Sequence, residues 1–111
     1  MLIQSTVKRG SYTRGRCLAV HYLATDEKGQ PPRVALAVGK PVGTAVVRHR
    51  VSRRIRHVMA ARIDQLPDGS YLVVRALPAA ATATSEALAS DLDVVVPKVL
   101  RGCQRRSADR G

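Results

Sequence analysis

The side chains best suited to chemistry in this chain are cations, and they are concentrated in residues 40–58, which read KPVGTAVVRHRVSRRIRHV. On a helical wheel of about 100° per residue, the cations from residue 50 onward project from one side of a single helix. A fixed row of guanidinium groups matches a nucleic-acid backbone. The segment therefore predicts a nucleic-acid-binding face formed by Arg50, Arg53, Arg54, Arg56 and His57.

The same helix carries an apolar stripe that would pack in a core. Arg48 and Arg62 point into this stripe. Arg48 lies near the helix start and could turn into the preceding loop, whereas Arg62 has no explanation at this level. The apolar side chains fall within an arc of about 160° on the wheel, and they are Val47, Val51, Ile55, Val58, Met59, Ile63 and Leu66.

A solvated surface is the alternative interpretation of the charged side of this helix. Such a surface is normally balanced by carboxylates about four residues away. Residues 28–63 contain no Asp or Glu, so like charges repel along the helix without internal relief. This imbalance favours an absent polyanionic partner, and we expect that partner to be a nucleic acid.

Composition points to one small, strongly basic domain. The chain has 111 residues, of which 45% are hydrophobic, and a formal net charge of +11. At this charge, phosphate contacts should dominate affinity, and binding should weaken steeply as salt rises. An anionic membrane is a weaker candidate partner, because no apolar run could span a bilayer and no signal segment is visible. We therefore predict no membrane association.

Cys17 and Cys103 are too few and too far apart in sequence to indicate a disulfide framework or a metal cluster. Such sparse cysteine usage is typical of a reducing compartment, and we expect a cytoplasmic protein. Cys17 should pack as a small apolar residue in a strand.

The chain shows no means of cutting RNA by itself. Hydrolysis would require clustered carboxylates that hold a metal, or a histidine pair for acid and base work. The eight acidic residues are scattered, and His49 and His57 differ by about 80° on the wheel, too far for a local metal pair. Residues 39–43 lack the GK[ST] of a phosphate-binding loop. We therefore predict no catalytic side chain and no metal ligand.

The elements that would position these cations alternate between strands and helices. Residues 16–24 and 33–38 are predicted to form an antiparallel strand pair, and residues 71–77 a third strand. Thr44 is a plausible N-cap for the basic helix, which residues 67–69 should end. Thr84 should cap a last helix, with Pro97 kinking or ending it. The core positions expected on that helix are Leu88, Leu92, Val95 and Val99.

With these elements in place, the basic segment resembles the signature of the bacterial ribonuclease P protein subunit. The family pattern has a Lys, a Gly, an Ala and then Arg, Asn, Arg, and this chain has Lys40, Gly43 and Ala45 followed by RHR, with His49 in the central position. VKRG at residues 7–10, the strand around residues 16–22, VVRALP at residues 73–78 and the last helix are also similar in order and spacing. The likeness covers most of the chain.

The resemblance implies an α+β fold: a small two-layer α/β sandwich with one sheet packed against helices, ribosomal protein S5 domain 2-like, with a left-handed crossover. Residues 1–100 would form a single RNA-binding domain and residues 101–111 a basic, flexible tail. The chain begins almost directly at the VKRG-like stretch, so the family's first helix is expected to be truncated. A naturally short protein and a start placed downstream of the true one both remain open.

The resemblance also implies a function. The chain would be the non-catalytic subunit of the ribonuclease P holoenzyme, an endoribonuclease whose RNA, with bound Mg²⁺, removes the 5′ leader of precursor tRNA. One protein per RNA is expected. A structural RNA-binding protein such as a ribosomal component is the alternative, and an independent nuclease is a third possibility. Contacts to the catalytic RNA would come from Lys40, Arg48, His49, Arg50, Arg53, Arg54 and Arg56, and the cleft for the leader would use Tyr12, Arg16, Cys17, Ala19 and His21, with Tyr22 nearby.

Overall fold

The computed structural model describes residues 10–25 and 29–110, with side chains described as far as residue 102. The truncated first helix expected from the resemblance lies outside these residues. Short 3₁₀ turns occur at Lys40–Val42, Ile63–Gln65 and Pro78–Thr82. The predicted two-layer α+β class is confirmed. The main elements are β1 (Ser11–Arg14), β2 (Leu18–Ala24), β3 (Arg33–Ala37), α1 (Ala45–Ala60), β4 (Ser70–Ala76) and α2 (Ser85–Arg110).

The four strands form one sheet in the order β1, β2, β4, β3. Strand β4 is antiparallel to β2 along seven residue pairs and parallel to β3. The expected antiparallel pair of residues 16–24 with 33–38 is therefore wrong, because β4 lies between these strands. The predicted strand, helix and strand crossover is confirmed, since α1 connects β3 to its parallel neighbour β4.

Both helices pack on the same side of the sheet. Side chains alternate between the two sides of a strand, and one side of β2 and β4 belongs to the same buried cluster as the apolar stripes of α1 and α2. Ser11 of β1 also points to this side, where its hydroxyl donates to the Val99 carbonyl at 2.7 Å. The core on this side includes Leu18, Val20, Tyr22, Leu72, Val74, Val51, Ile55, Val58, Leu88, Leu92, Val95 and Val99.

Helix α1 begins at the predicted cap and ends earlier than predicted. The Thr44 hydroxyl accepts a hydrogen bond from the Val47 N–H at 3.4 Å, which satisfies one of the free donors of the first turn. The helix ends at Ala60, and the predicted core residues Ile63 and Leu66 follow in a 3₁₀ turn and its cap. Both residues still pack against the core cluster.

Helix α2 continues past the proline that was expected to limit it. Thr84 caps its start, accepting from the Ala87 N–H at 3.0 Å. Pro97 lies inside the helix, which runs to Arg110 and so extends into the predicted basic tail. The prediction that Pro97 could end the helix is wrong, because Val96 and Val99 on either side of it are fully buried in the core. Tertiary packing there outweighs the missing proline N–H.

Within the described residues, neither helix combines the length and apolar character that a membrane span requires.

Candidate nucleic-acid interface

The structure brings the five predicted cations of α1 together. We call Arg50, Arg53, Arg54, Arg56 and His57 the basic face; with Ser85 they line a groove between α1 and the start of α2. Arg54 is half-buried and the other four are exposed. Arg62, which follows α1, forms an ion pair with Asp93 outside the basic face. The basic face is thus a cluster of positive charge without an acidic partner in the described structure.

Two side chains of the basic face are anchored to the segment before α2. Arg54 Nη1 donates to the Ala83 carbonyl at 2.8 Å, and Arg50 Nη2 lies 3.4 Å from the Ala81 carbonyl. A guanidinium has five N–H donors, so each side chain keeps most of its donors for another partner. These contacts hold two arginines in fixed orientations beside Arg53 and Arg56.

The remaining cations predicted to contact RNA surround the start of α1. Lys40 lies in the 3₁₀ turn before the helix and is exposed, as is His49. Arg48 is half-buried, and its Nε is buried without a hydrogen-bond partner in the described structure. Gly43 connects this turn to α1 with φ 151°, and a Cβ there would lie 3.0 Å from Val47 Cγ1. Only glycine fits this close approach and backbone conformation.

A second candidate surface lies on the side of the sheet opposite the helices. We call it the far face; strand register assigns to it Tyr12, Arg14, Ala19, His21, Leu23, Arg33, Ala35, Ala37, Tyr71, Val73 and Arg75. It combines aromatic rings with cations. The rings of Tyr12 and His21 are in contact, with centroids 4.6 Å apart and planes tilted by 44°. Arg33 lies over the Tyr71 ring, 5.1 Å from its centroid.

His21 occupies the middle of the far face, and its surroundings favour the neutral imidazole over the charged one. Burial lowers its pKa, and the neighbouring Arg75 cation lowers it further. Its Nδ1 is buried and has no hydrogen-bond partner among the described groups. A neutral imidazole can accept or donate through this atom, but because the atom is buried it is not offered to a ligand on the far face.

The structure separates the residues predicted for the leader cleft. Tyr12, Ala19 and His21 share the far face, with Tyr12 48% exposed and Ala19 fully buried. Arg16 and Cys17 instead lie in the turn before β2, beside α2. Cys17 is not in a strand; it packs in the core, where burial and then Asp91 raise the pKa of its thiol while Arg16 opposes them.

Tyr22, which was expected near the cleft, points to the helix side of the sheet. It is buried, and its hydroxyl forms a hydrogen bond with Ser70 Oγ at 2.8 Å. Alternation along β2 places Tyr22 and His21 on opposite sides. Tyr22 therefore belongs to the core.

Four residues of the far face were not identified from the sequence: Arg14, Arg33, Tyr71 and Arg75. The alternation of YLVVRA in β4 places Tyr71, Val73 and Arg75 on one side of a strand. That pattern does not reveal which strands flank β4. The proximity of Tyr71 and Arg75 to His21 follows only from the pairing of β4 with β2.

The described carboxylates are engaged in structural contacts or dispersed. Asp91 accepts hydrogen bonds from the backbone N–H groups of Arg16, Cys17 and Leu18 at 2.8–3.0 Å. Asp93 pairs with Arg62, Nε to Oδ1 at 2.7 Å. No group of three or more His, Cys, Asp or Glu side chains suited to a metal ion occurs among the described residues.

Comparison with known sequences identifies the family. A sequence model described as Ribonuclease P matches residues 1–100. The chain belongs to the ribonuclease P protein family. The ribonuclease P protein component of Corynebacterium diphtheriae is 43% identical over 103 residues, covering 88% of this chain and 87% of the relative. That of Beutenbergia cavernae is 50% identical over 88 residues, covering 79% and 73%. Nothing in these matches favours the ribosomal alternative.

Solved structures of ribonuclease P proteins share this fold. The RNase P protein of Staphylococcus aureus superposes with a TM-score of 0.76 at 24% identity, covering 87% of this chain and 89% of that one. The RNase P protein of Thermotoga maritima superposes with a TM-score of 0.72 at 16% identity, covering 89% of each. At these identities the likeness supports the fold.

Proposed function

We propose that this chain is the non-catalytic protein subunit of ribonuclease P and that its basic face docks the RNA subunit. The observation that supports this most strongly is the clustering of Arg50, Arg53, Arg54, Arg56 and His57 on one side of α1 without an acidic partner in the described structure. Phosphates of a folded RNA provide the missing countercharge. Lys40 and His49 extend the docking surface toward the start of α1.

The far face is proposed to hold the single-stranded 5′ leader of precursor tRNA. Single-stranded RNA is bound by aromatic stacking combined with cations that follow the backbone. The Tyr12 and His21 pair offers the aromatic surface for a base. Arg14 and Arg75 lie next to this pair, on either side of Ala19 in the neighbouring row of cross-strand partners. Because α1 packs on the other side of the sheet, the domain would lie between the RNA subunit and the leader.

The chemical step is assigned to the RNA subunit, whose bound Mg²⁺ would supply the hydrolysis of the phosphodiester. The described carboxylates do not fit a protein-held Mg²⁺ site, since Asp91 is occupied by three backbone donors and Asp93 by Arg62. The side chains of this chain would bind and orient RNA. One protein per RNA and a cytoplasmic location are part of the same proposal.

Reconstitution tests the proposal. The protein is combined with its cognate ribonuclease P RNA at low Mg²⁺, and cleavage of precursor tRNA is followed. We expect cleavage to be stimulated and the protein alone to be inactive with Mg²⁺. Absence of stimulation would contradict the subunit assignment, and cutting by the protein alone would show an independent nuclease.

A matched pair of substrates tests the role of the far face. Replacing Tyr12 by Ala should weaken holoenzyme binding to precursor tRNA by about tenfold and leave binding to mature tRNA unchanged. Because Tyr12 is 48% exposed, its removal leaves the core intact. Equal weakening for both substrates would contradict a leader contact on this face.

A further inference from the structure

An apolar groove runs between the end of α1 and strand β3. Its volume is about 280 Å³. The half-buried side chains of Val34 and Leu36 form one wall, and Met59 and Ile63 form the other. Ala60 is exposed at the end of α1 and has only a methyl group to fill the space. The groove is therefore a slot between two aliphatic walls.

One side of the groove also offers backbone hydrogen-bonding groups. Strand β3 is at the edge of the described sheet, paired on one side with β4. An edge strand directs part of its N–H and C=O groups away from the sheet. A ligand seated against β3 would thus meet aliphatic surface on its faces and backbone donors and acceptors along its rim. A planar heterocycle with polar edges has this combination of surfaces.

Arg56 connects this groove to the basic face. Its side chain lines both the apolar groove and the basic groove between α1 and α2. A phosphate held by Arg56 would place the attached nucleoside next to the aliphatic slot. The charge of the rim therefore favours an anionic ligand such as a nucleotide over an uncharged or basic protein segment.

We propose that the groove receives one unstacked base from a single-stranded segment of the ribonuclease P RNA, with the adjacent phosphate on Arg56. This inference rests on the proposed docking of that RNA on the basic face. The RNA subunit is the source of the base because the groove and the basic face share α1, whereas the far face proposed for the leader lies on the other side of the sheet.

Filling the groove without changing charge tests this proposal. Ala60→Leu places a branched side chain in the slot, and Ala60→Met is a second filling variant with a flexible side chain. Ala61→Leu is the matched control, because Ala61 is also exposed and lies outside the groove lining. Thermal unfolding of all three variants verifies that they are folded.

We expect Ala60→Leu and Ala60→Met to weaken binding to the ribonuclease P RNA by about tenfold. The dependence of affinity on salt should stay unchanged, because no phosphate contact is removed. Dimethyl sulfate probing of the RNA should show one unpaired base that is protected by the unaltered protein and by Ala61→Leu and reactive with the filling variants.

Three results would overturn the inference in distinguishable ways. Equal affinity and an equal footprint for the Ala60 and Ala61 variants would show that the groove holds no base, and the docking proposal would stand. An effect seen only with leader-bearing substrate would assign the base to precursor tRNA. Failure of the unaltered protein to bind the ribonuclease P RNA would contradict the proposed function itself.

Discussion

Gly15 lies so close to Asp91 that a Cβ atom on the glycine would be 2.5 Å from the Asp91 Oδ1 atom. The carboxylate is held in this position by the N–H groups of Arg16, Cys17 and Leu18. The turn between β1 and β2 thus wraps around a side chain from α2. Through this contact the helix layer fixes the hairpin that carries Tyr12 and His21.

Gly15→Ala should destabilise the fold by about 1–3 kcal/mol. The added methyl group would force the carboxylate away from its three donors, because Gly15 is not among the glycines with positive φ and the cost is steric. Urea unfolding measures the loss. Gly39→Ala is the matched control, since a Cβ there meets only ordinary contact at 3.5 Å.

A double-mutant cycle identifies Asp91 as the cause. In an Asp91→Ala background, Gly15→Ala should cost almost nothing, because the atoms that it would meet are gone. An undiminished cost in that background would show that the turn itself requires glycine.

Removal of Arg53 should change RNA binding alone, whereas removal of Arg54 should change both RNA binding and stability. Arg53→Ala should reduce the slope of log affinity for ribonuclease P RNA against log salt by about one and leave stability within about 0.5 kcal/mol. Arg54→Ala should also lower stability by about 1 kcal/mol, because the Ala83 carbonyl loses its donor. Filter binding over a salt series and urea unfolding give both quantities.

Arg53→Lys is the control for this pair, because it keeps the charge and removes only the planar fork of donors. Its salt slope should match that of the unaltered protein. A slope unchanged in Arg53→Ala would show that this side chain does not face phosphate.

Local features of this fold could be predicted from the sequence because each depends on neighbouring residues. The hydroxyls of Thr44 and Thr84 cap the helices as expected, and the basic and apolar sides of α1 follow from spacing alone. Sheet order could not be predicted in this way. Alternation identifies a strand and its two sides, but the insertion of β4 between β2 and β3 depends on the crossover that packs α1.

Long-range partners explain the other differences. Arg62 points toward the apolar side of α1, where helical spacing gives no reason for a cation. The fold supplies the reason, because α2 brings Asp93 to within 2.7 Å of this side chain. The same side chain donates to the Val58 carbonyl at 2.7 Å and so satisfies the end of α1. Cys17 and His21 are four residues apart in sequence, and both were expected to line the leader cleft. The turn at Arg16 and Cys17 instead places the thiol beside α2.

The Arg62 and Asp93 pair should contribute modestly and in a pH-dependent manner. Asp93→Asn should cost less than about 1 kcal/mol at pH 7, because the carboxylate is 54% exposed. The hydrogen bond from Arg62 lowers the pKa of Asp93 below its ordinary value. The contribution of this pair to stability is therefore present above the pKa of Asp93 in the unfolded chain, and it is lost as pH falls through the pKa of Asp93 in the folded protein.

Urea unfolding of Asp93→Asn and the unaltered protein at pH 7 and pH 3 measures this difference. The two proteins should be closer in stability at pH 3. Asp68→Asn is the control, because Asp68 is an exposed carboxylate outside the pair. A difference between Asp93→Asn and the unaltered protein that grows toward pH 3 would contradict the sign.

His21 should make the fold less stable as the solution becomes acidic. Its pKa in the folded protein is lowered by burial and by Arg75, so the unfolded chain binds the proton first as pH falls below the ordinary histidine value of about 6.5. Stability is therefore greatest above that value and decreases until pH passes the folded-state pKa. The Tyr12 ring lies beside the imidazole, and the Arg75 cation opposes a positive charge on it.

Unfolding free energies between pH 8 and pH 5 test this prediction in the unaltered protein and in His21→Gln. The unfolding free energy of His21→Gln should rise relative to that of the unaltered protein as pH falls, because glutamine does not titrate. His57→Gln is the control, since it removes an exposed histidine of the basic face and leaves His21 in place. Parallel profiles for His21→Gln and the unaltered protein would show that the imidazole on the far face accepts a proton without penalty, which would contradict a lowered pKa for His21.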